Sequence, residues 1–417
     1  MKWRKSDYMR ILWLCNIMLP ELASEFSLGK INVGGWLTGL WKRLKETNID
    51  LAICVPVGNA ELLKDGTYDG YKYYSFIVDY DGTDGIGQLE IFKNVLDDFN
   101  PDVVHIWGTE YIHTYNMIMA CKEKKLQNRV IVNIQGLLTY YSKVFDIGIP
   151  EDVFHEKMNN VAICDERDNF DLRGEFEKKD FALVNCFVGR TDWDRACTYE
   201  LNPRARYVHC GEIIRENFYS ERKWKYDDCT KHSIFVSQAS YPIKGFHVVL
   251  DEIVRLKEIY PDLVVKVAGP ELSLEFSPYA KYVYKLIKEK KLEKTIIFLG
   301  NLDAEQMKKE FLNANVFLSP SLIENSSNSI CEAMNLGVPT VSSFVGGTSS
   351  LIDSEINGYL YPLNEPYLMS FYVRKIFDSR EEISEISRNA IKKGKQLNNP
   401  EQILKTMLGL YEEIANG

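Results

Sequence analysis

The chain has 417 residues, too many for one ordinary hydrophobic core and enough for two domains of about 200 residues each. Its net charge of −9 and pI near 5.4 argue against nucleic acid as the main partner. Nine scattered cysteines with no C-x-x-C pair read as reduced thiols of a cytosolic protein, and no run of 18 apolar residues exists to span a membrane.

The start imitates an export signal, with Lys2, Arg4, Lys5 and Arg10 ahead of Ile11-Leu12-Trp13-Leu14-Cys15. That apolar run is short and broken by Asn16, so the expectation is a first strand over residues 10–18. A helix over 36–45 follows, then strands over 51–57 and 71–78, a helix over 88–99, a strand over 102–107, a helix over 113–125 and a strand over 129–134. Residues 181–188 read as a further strand, with a helix from about Asp192. Repeated βαβ order predicts a parallel sheet covered on both faces. A polar stretch from Asn202-Pro203 to Asp228 suits a connection between domains. The pattern then restarts: strands over 233–237, 263–268 and 296–299, helices over 245–260, 281–290 and 304–312, and a helical tail from Glu365.

The most informative stretch is 315–348. Val316-Phe317-Leu318, bounded by Ser319-Pro320-Ser321, reads as a buried strand ending in a turn. Ile330, Ala333, Met334 and Leu336 have helical spacing, stopped by Gly337 and Pro339, before a short strand from Val338. The polar loop between them therefore lies at a strand's C-terminal end and a helix's N-terminus, where open α/β sheets bind ligands. Asn325, Ser326, Ser327 and Asn328 are good N-caps that leave backbone N–H groups pointing outward, a site shaped for a diphosphate. Glu324 in the loop can hold a neutral polyol, and Glu332 on the helix can accept both hydroxyls of a ribose. The plainer alternative is a loop acid and a solvated helix carboxylate; the surrounding Gly/Pro punctuation favours the site.

Glu324 and Glu332 spaced E-x7-E, followed by GVPTVSS and Gly346-Gly347, resemble the signature of retaining nucleotide-sugar glycosyltransferases of family 4. The resemblance implies an α/β GT-B fold, two Rossmann-like doubly wound domains facing a central cleft. Here these would be an acceptor-binding domain over 1–210 and a nucleotide-sugar domain over 211–400, with a helix at 401–417 packing back on the first. It also implies that Glu324 contacts the donor sugar, Glu332 the ribose, and the amides of Asn325, Ser326, Ser327 and Asn328 the diphosphate. The run from Val236 to Lys244-Gly245 resembles the family's strand–loop whose lysine binds the diphosphate. Lys244 is thus expected to stabilise charge growing on the leaving nucleotide. The family's arginine, about five residues earlier, is Ala239 here. Arg190 is a candidate replacement in the donor site, and equally a structural arginine. Gly34 and Gly35, after Ile31-Asn32-Val33, look like the family's Gly-rich loop that touches donor phosphate or acceptor. His105 and Gln135 resemble acceptor or sugar cleft positions, although the family often has histidine where Trp107 or Gln135 stands here.

Other patterns carry less. Asp79-Tyr80-Asp81 and Asp192-Trp193-Asp194 resemble a metal-binding D-x-D, but Thr191-Asp192 reads better as a helix cap. Gly82, Gly85 and Gly87 have a reversed dinucleotide spacing beside acids that would repel phosphate. Trp36, Leu37, Leu40, Trp41 and Leu44 form an apolar stripe beside Lys42, Arg43 and Lys45; it suits core packing better than docking on an anionic membrane. The resulting expectation is a retaining, metal-independent and cofactor-free glycosyltransferase, cytoplasmic or peripheral on the inner membrane face. It would move sugar from a UDP-linked donor to a saccharide or lipid-linked hydroxyl acceptor in polysaccharide or glycolipid synthesis. The alternatives are a nucleotide-sugar epimerase or hydrolase, and a non-catalytic nucleotide-binding partner of another transferase.

Overall fold

The computed structural model describes residues 8–29, 34–79, 85, 87–269 and 277–417. Lys2, Arg4, Lys5, Ile31, Asn32, Val33, Tyr80, Asp81 and Gly82 of the readings above lie outside the described residues. The chain divides into two compact units: Met1–Tyr140, Asn169–Ile213 and Asn399–Gly417 form the first, and Tyr141–Asp168 with Ile214–Asn398 the second. Residues 141–168, read above as part of a domain over 1–210, therefore belong to the second unit.

In chain order the first unit contributes β1 (Met9–Cys15), α1 (Gly35–Leu44), β2 (Ile49–Val57), β3 (Gly66–Tyr68), β4 (Tyr71–Ile77), α2 (Gln88–Phe99), β5 (Val103–Trp107), α3 (Ile112–Glu123) and β6 (Val130–Asn133). The short α4 (Leu138–Tyr141) and α5 (Glu151–Phe154) follow, and then α6 (Ile163–Leu183), β7 (Cys186–Gly189), α7 (Asp192–Leu201) and β8 (Arg206–His209). The sheet order is β3-β4-β2-β1-β5-β6-β7-β8, parallel throughout except for the β3–β4 edge pair. Strands covered on both faces bury every residue, so β5 reads as an unbroken buried run. Phe92, Val95, Leu96 and Phe99 of α2 recur at helical spacing and enter the core cluster against β1, β2 and β5.

Two readings are corrected here. Phe181 and Leu183 close α6, and only Cys186–Gly189 is strand; a short apolar run fits a buried helix end as well as a strand. In α1, Leu37, Leu40, Trp41 and Leu44 are all buried, so that stripe faces the unit's own core and is not presented to a membrane.

The second unit continues with β9 (Ser233–Val236), α8 (Leu250–Ile259), β10 (Val264–Ala268), α9 (Pro278–Glu289), β11 (Ile296–Gly300), α10 (Ala304–Asn313), β12 (Val316–Ser319) and α11 (Asn328–Leu336). After these come β13 (Thr340–Ser343), α12 (Thr348–Leu351), β14 (Tyr359–Tyr361), α13 (Tyr367–Asp378) and α14 (Arg380–Leu397). Its sheet is wholly parallel, in the order β11-β10-β9-β12-β13-β14. The winding reverses between β9 and β12, which opens a crevice at their C-terminal ends. The final helix, α15 (Pro400–Asn416), belongs to the first unit. Among the described residues no helix is long and apolar enough to cross a membrane, and all nine cysteines are free thiols.

Candidate active site

The loops leaving β9 and β12 are knitted together at the reversal point. After β9, the turn Pro242–Lys244 ends in Gly245 at φ +67. A Cβ at that glycine would lie 2.0 Å from the Pro320 carbonyl oxygen, so the approach of the two loops requires glycine. The Leu322 amide donates to the Ile243 carbonyl at 2.8 Å. This register brings Lys244 Nζ within 2.6 Å of Glu324 Oε1, which also accepts from Ser321 Oγ at 2.8 Å. Ser321 is itself held through its carbonyl by Ser343 Oγ at 2.5 Å, at the end of β13.

Glu324 is fixed from the main-chain side too. Its carbonyl accepts the Gly347 amide at 2.9 Å, and a Cβ on neighbouring Gly346 (φ +49) would lie 2.0 Å from the same oxygen. Burial works against charge on Lys244, but the Glu324 carboxylate and the Tyr241 and Tyr141 phenols outweigh it and hold the ammonium well above its usual range. Lys244 thus stays a cation at neutral pH, held beside the Glu324 side chain.

Helix α11 starts beside this pair in the chain. Ser327 occupies its N-cap position without a side-chain cap bond, and Ser326, Ser327 and Asn328 are half-buried. The amides of a first helical turn have no intrahelical acceptor, and the helix dipole favours an anion there. Asn325 departs from the expectation: it is 1% exposed and its amide donates to the Tyr141 hydroxyl at 3.1 Å, so it does not point outward for a ligand. Glu332, one turn further on, is buried, and both its oxygens are taken by Arg215, Nε to Oε1 and Nη2 to Oε2, each at 2.6 Å. Burial raises the Glu332 pKa, and the Arg215 guanidinium offsets part of that rise.

The first-unit candidates fall into different settings. Gly34 is the buried N-cap of α1 at φ +82, packed on Ile17, and Gly35 is the first residue of that helix. Arg190 and Gln135 converge on one buried acid: Arg190 Nη1 reaches Glu212 Oε2 at 2.5 Å and Gln135 Nε2 reaches Glu212 Oε1 at 2.6 Å. Arg190 Nη2 also donates to the Gln135 carbonyl at 3.1 Å. His105 is a correction: it is fully buried in β5, its Nδ1 2.7 Å from the Tyr411 hydroxyl of α15, and burial lowers its pKa to about 3. It is a neutral core residue, not a cleft residue. Asp192-Trp193-Asp194 is the start of α7, where Thr191 and Asp194 form a capping box. Tyr141, Ser321 and Arg215 were missed. Ser321 lay three residues from Glu324 in the stretch singled out as a site, and Arg215 in the stretch read only as a connection between domains.

The chain is similar to several known proteins. Residues 220–394 match the family described as "Glycosyl transferases group 1". The putative glycosyltransferase YtcC of Bacillus subtilis is 24% identical over 206 residues, 49% of this chain and 50% of that protein. The putative colanic acid biosynthesis glycosyltransferase WcaL of Escherichia coli is 27% identical over 128 residues, 29% of this chain and 30% of that one. The chain thus spans half or less of the length of these curated relatives. In structure, HepE of Anabaena in complex with UDP-glucose superposes with a TM-score of 0.69 at 14% identity, covering 97% of this chain and 100% of HepE. The chain has the GT-B fold, and the group 1 match over its second unit supports a GT-B glycosyltransferase.

Proposed function

We propose that this protein is a retaining glycosyltransferase that moves a sugar from a UDP-linked donor to a hydroxyl of a saccharide or lipid-linked acceptor, in polysaccharide or glycolipid synthesis. The observation that carries the reading is the Lys244–Glu324 pair, fixed at 2.6 Å at the reversal point of the second sheet, next in the chain to a helix N-terminus. A nucleotide sugar presents a neutral polyol joined to a diphosphate. Glu324 accepts hydrogen bonds from the polyol, while Lys244 and the first-turn amides around Ser326, Ser327 and Asn328 take the diphosphate. Glu332 takes the ribose, and the first unit grips the acceptor.

No protein nucleophile is required. The acceptor oxygen bonds to the anomeric carbon on the face from which the diphosphate leaves, and the departing phosphate oxygen takes the acceptor's proton. Lys244 and the helix dipole oppose the charge that grows on the diphosphate, where fixed dipoles and charges are most effective. The reading uses no metal, since these groups carry the electrostatic load. The UDP-glucose named with HepE and the colanic acid named for WcaL favour a UDP donor and a polysaccharide product.

The test is nucleotide release from a panel of UDP- and GDP-sugars, with and without acceptors, comparing wild type with Glu324→Gln. Acceptor-dependent release from one donor, lost in the variant, is expected. Release without acceptor would make the protein a hydrolase, conversion of the donor without release an epimerase, and UDP binding without turnover a binding partner. Inversion at the anomeric carbon of the product would overturn the retaining mechanism.

A further inference from the structure

The Glu332 carboxylate is closed off by one side chain. The Arg215 guanidinium meets it fork to fork, and the side-chain exposures are 22% for Arg215 and 4% for Glu332. Arg215 is therefore the solvent-facing partner, and the acid lies behind it. A carboxylate receiving two parallel N–H donors presents the same pair of oxygens that it would present to the two hydroxyls of a vicinal diol. Among the described residues Arg215 Nη1 has no carboxylate bond, and the guanidinium sits 4.8 Å from the centroid of the Phe218 ring, a second favourable contact within its own segment.

We infer that Arg215 belongs to the nucleotide site as a built-in occupant of the ribose position: it fills the diol-accepting face of Glu332 in the free protein and is exchanged for the ribose hydroxyls when a nucleotide binds. The inference rests on the proposed function, which gives Glu332 the ribose. It adds a competitor to that site. A ligand carrying the diol must break the Arg215–Glu332 fork to bind, and one lacking it need not. The apparent affinity for a ribonucleotide is reduced by the fraction of molecules in which Arg215 holds the acid. This also makes Arg215 a specificity residue, because only a ligand that supplies two donors replaces both lost bonds.

The test is calorimetric titration of UDP and of 2′,3′-dideoxy-UDP into wild type, Arg215→Gln, Arg215→Lys and Glu332→Gln. Arg215→Gln should bind UDP ~3–10-fold more tightly than wild type, the factor expected if the occupied form holds roughly 70–90% of molecules. Its affinity for dideoxy-UDP should stay within about twofold. Arg215→Lys, which keeps a cation but loses the fork, should fall between, and it carries the test if the glutamine variant does not fold. Glu332→Gln should bind UDP and dideoxy-UDP nearly alike. If wild type binds UDP and neither Arg215 variant tightens it, this inference fails alone. If wild type binds no UDP, the UDP-donor reading fails and the inference with it.

Discussion

Gly346→Ala is a perturbation of a single methyl whose consequence can be worked from the structure. The new Cβ would lie 2.0 Å from the Glu324 carbonyl oxygen, and contacts under 3.0 Å essentially never occur, so that carbonyl must retreat by about 1 Å. The Gly347 amide bond to the same oxygen ties the two segments, so the shift passes into the backbone that carries the Glu324 side chain. Displacing a positioning group by ~1 Å costs on the order of 100-fold in rate. The left-handed φ of +49 adds a cost of ~1–2 kcal/mol in stability for a residue with a Cβ. For a chain of this size that is a fall in Tm of a few degrees, not loss of the fold.

The assay is kcat/KM for nucleotide release with whichever donor the wild type uses, alongside Tm. Gly346→Ala should lose about 100-fold. The double variant with Glu324→Gln should be no worse than Glu324→Gln alone, since both changes act through one carboxylate. Activity within threefold of wild type in a folded Gly346→Ala protein, or losses that multiply in the double variant, would refute the argument that Glu324 is held in place by this loop.

Three further outcomes follow. Burial pushes the Glu177 carboxyl up to about 7 against the lowering effect of its Thr139 and Thr109 donors. The folded chain therefore keeps a proton that the unfolded chain releases near 4.5, so the stability associated with Glu177 is full below that pH and is lost as pH rises to about 7. Thermal melts of wild type should fall across this window, and Glu177→Gln should flatten the fall; an unchanged slope would contradict it. Tyr411→Phe removes the hydroxyl shared by His105 Nδ1 at 2.7 Å and Trp13 Nε1 at 3.1 Å. Two buried partners are then unmatched, which should cost about 2–4 kcal/mol in urea unfolding. Arg190→Met strips the buried Glu212 of its cation and should cost about 3–5 kcal/mol in the same assay while leaving the Kd for UDP unchanged. A weakened Kd would favour the donor-site role for Arg190 over the structural one.

How legible the site was depends on how far apart its parts lie in the chain. Lys244, Glu324 and the α11 start sit in two short strand–turn–helix stretches, each punctuated by its own glycines and prolines. Their geometry is set locally: Glu324 and the α11 start were singled out from residue order, and Lys244 from the family resemblance of its own stretch. Arg215 and Tyr141 lie 117 and 184 residues from their partners, and no periodicity or spacing links positions that distant. His105 was misplaced because a strand buried on both faces gives no alternation from which to tell which side a residue takes. The apolar run from Phe181 misled because the end of a buried helix and a short strand share that composition. Arg190 was singled out as a stand-in for the family's arginine and Gln135 by resemblance, but their common acid, Glu212, is not adjacent to either in sequence.

The interleaved division of the chain bears on its biosynthesis. Residues 141–168 and 214–398 make one unit, while the other draws on the beginning, the middle and residues 399–417. The first unit cannot finish folding until residues 399–417 have been made, after every residue of the second. His105 and Trp13 emerge early, yet their shared partner Tyr411 follows His105 by about 300 residues, roughly 15–60 s at ~5–20 residues per second. Throughout that interval the surface beside β1 and β5 lacks the helix that later covers it. A translational pause anywhere between residues 105 and 411 lengthens that exposure by its own duration, whereas one before residue 13 adds nothing to it.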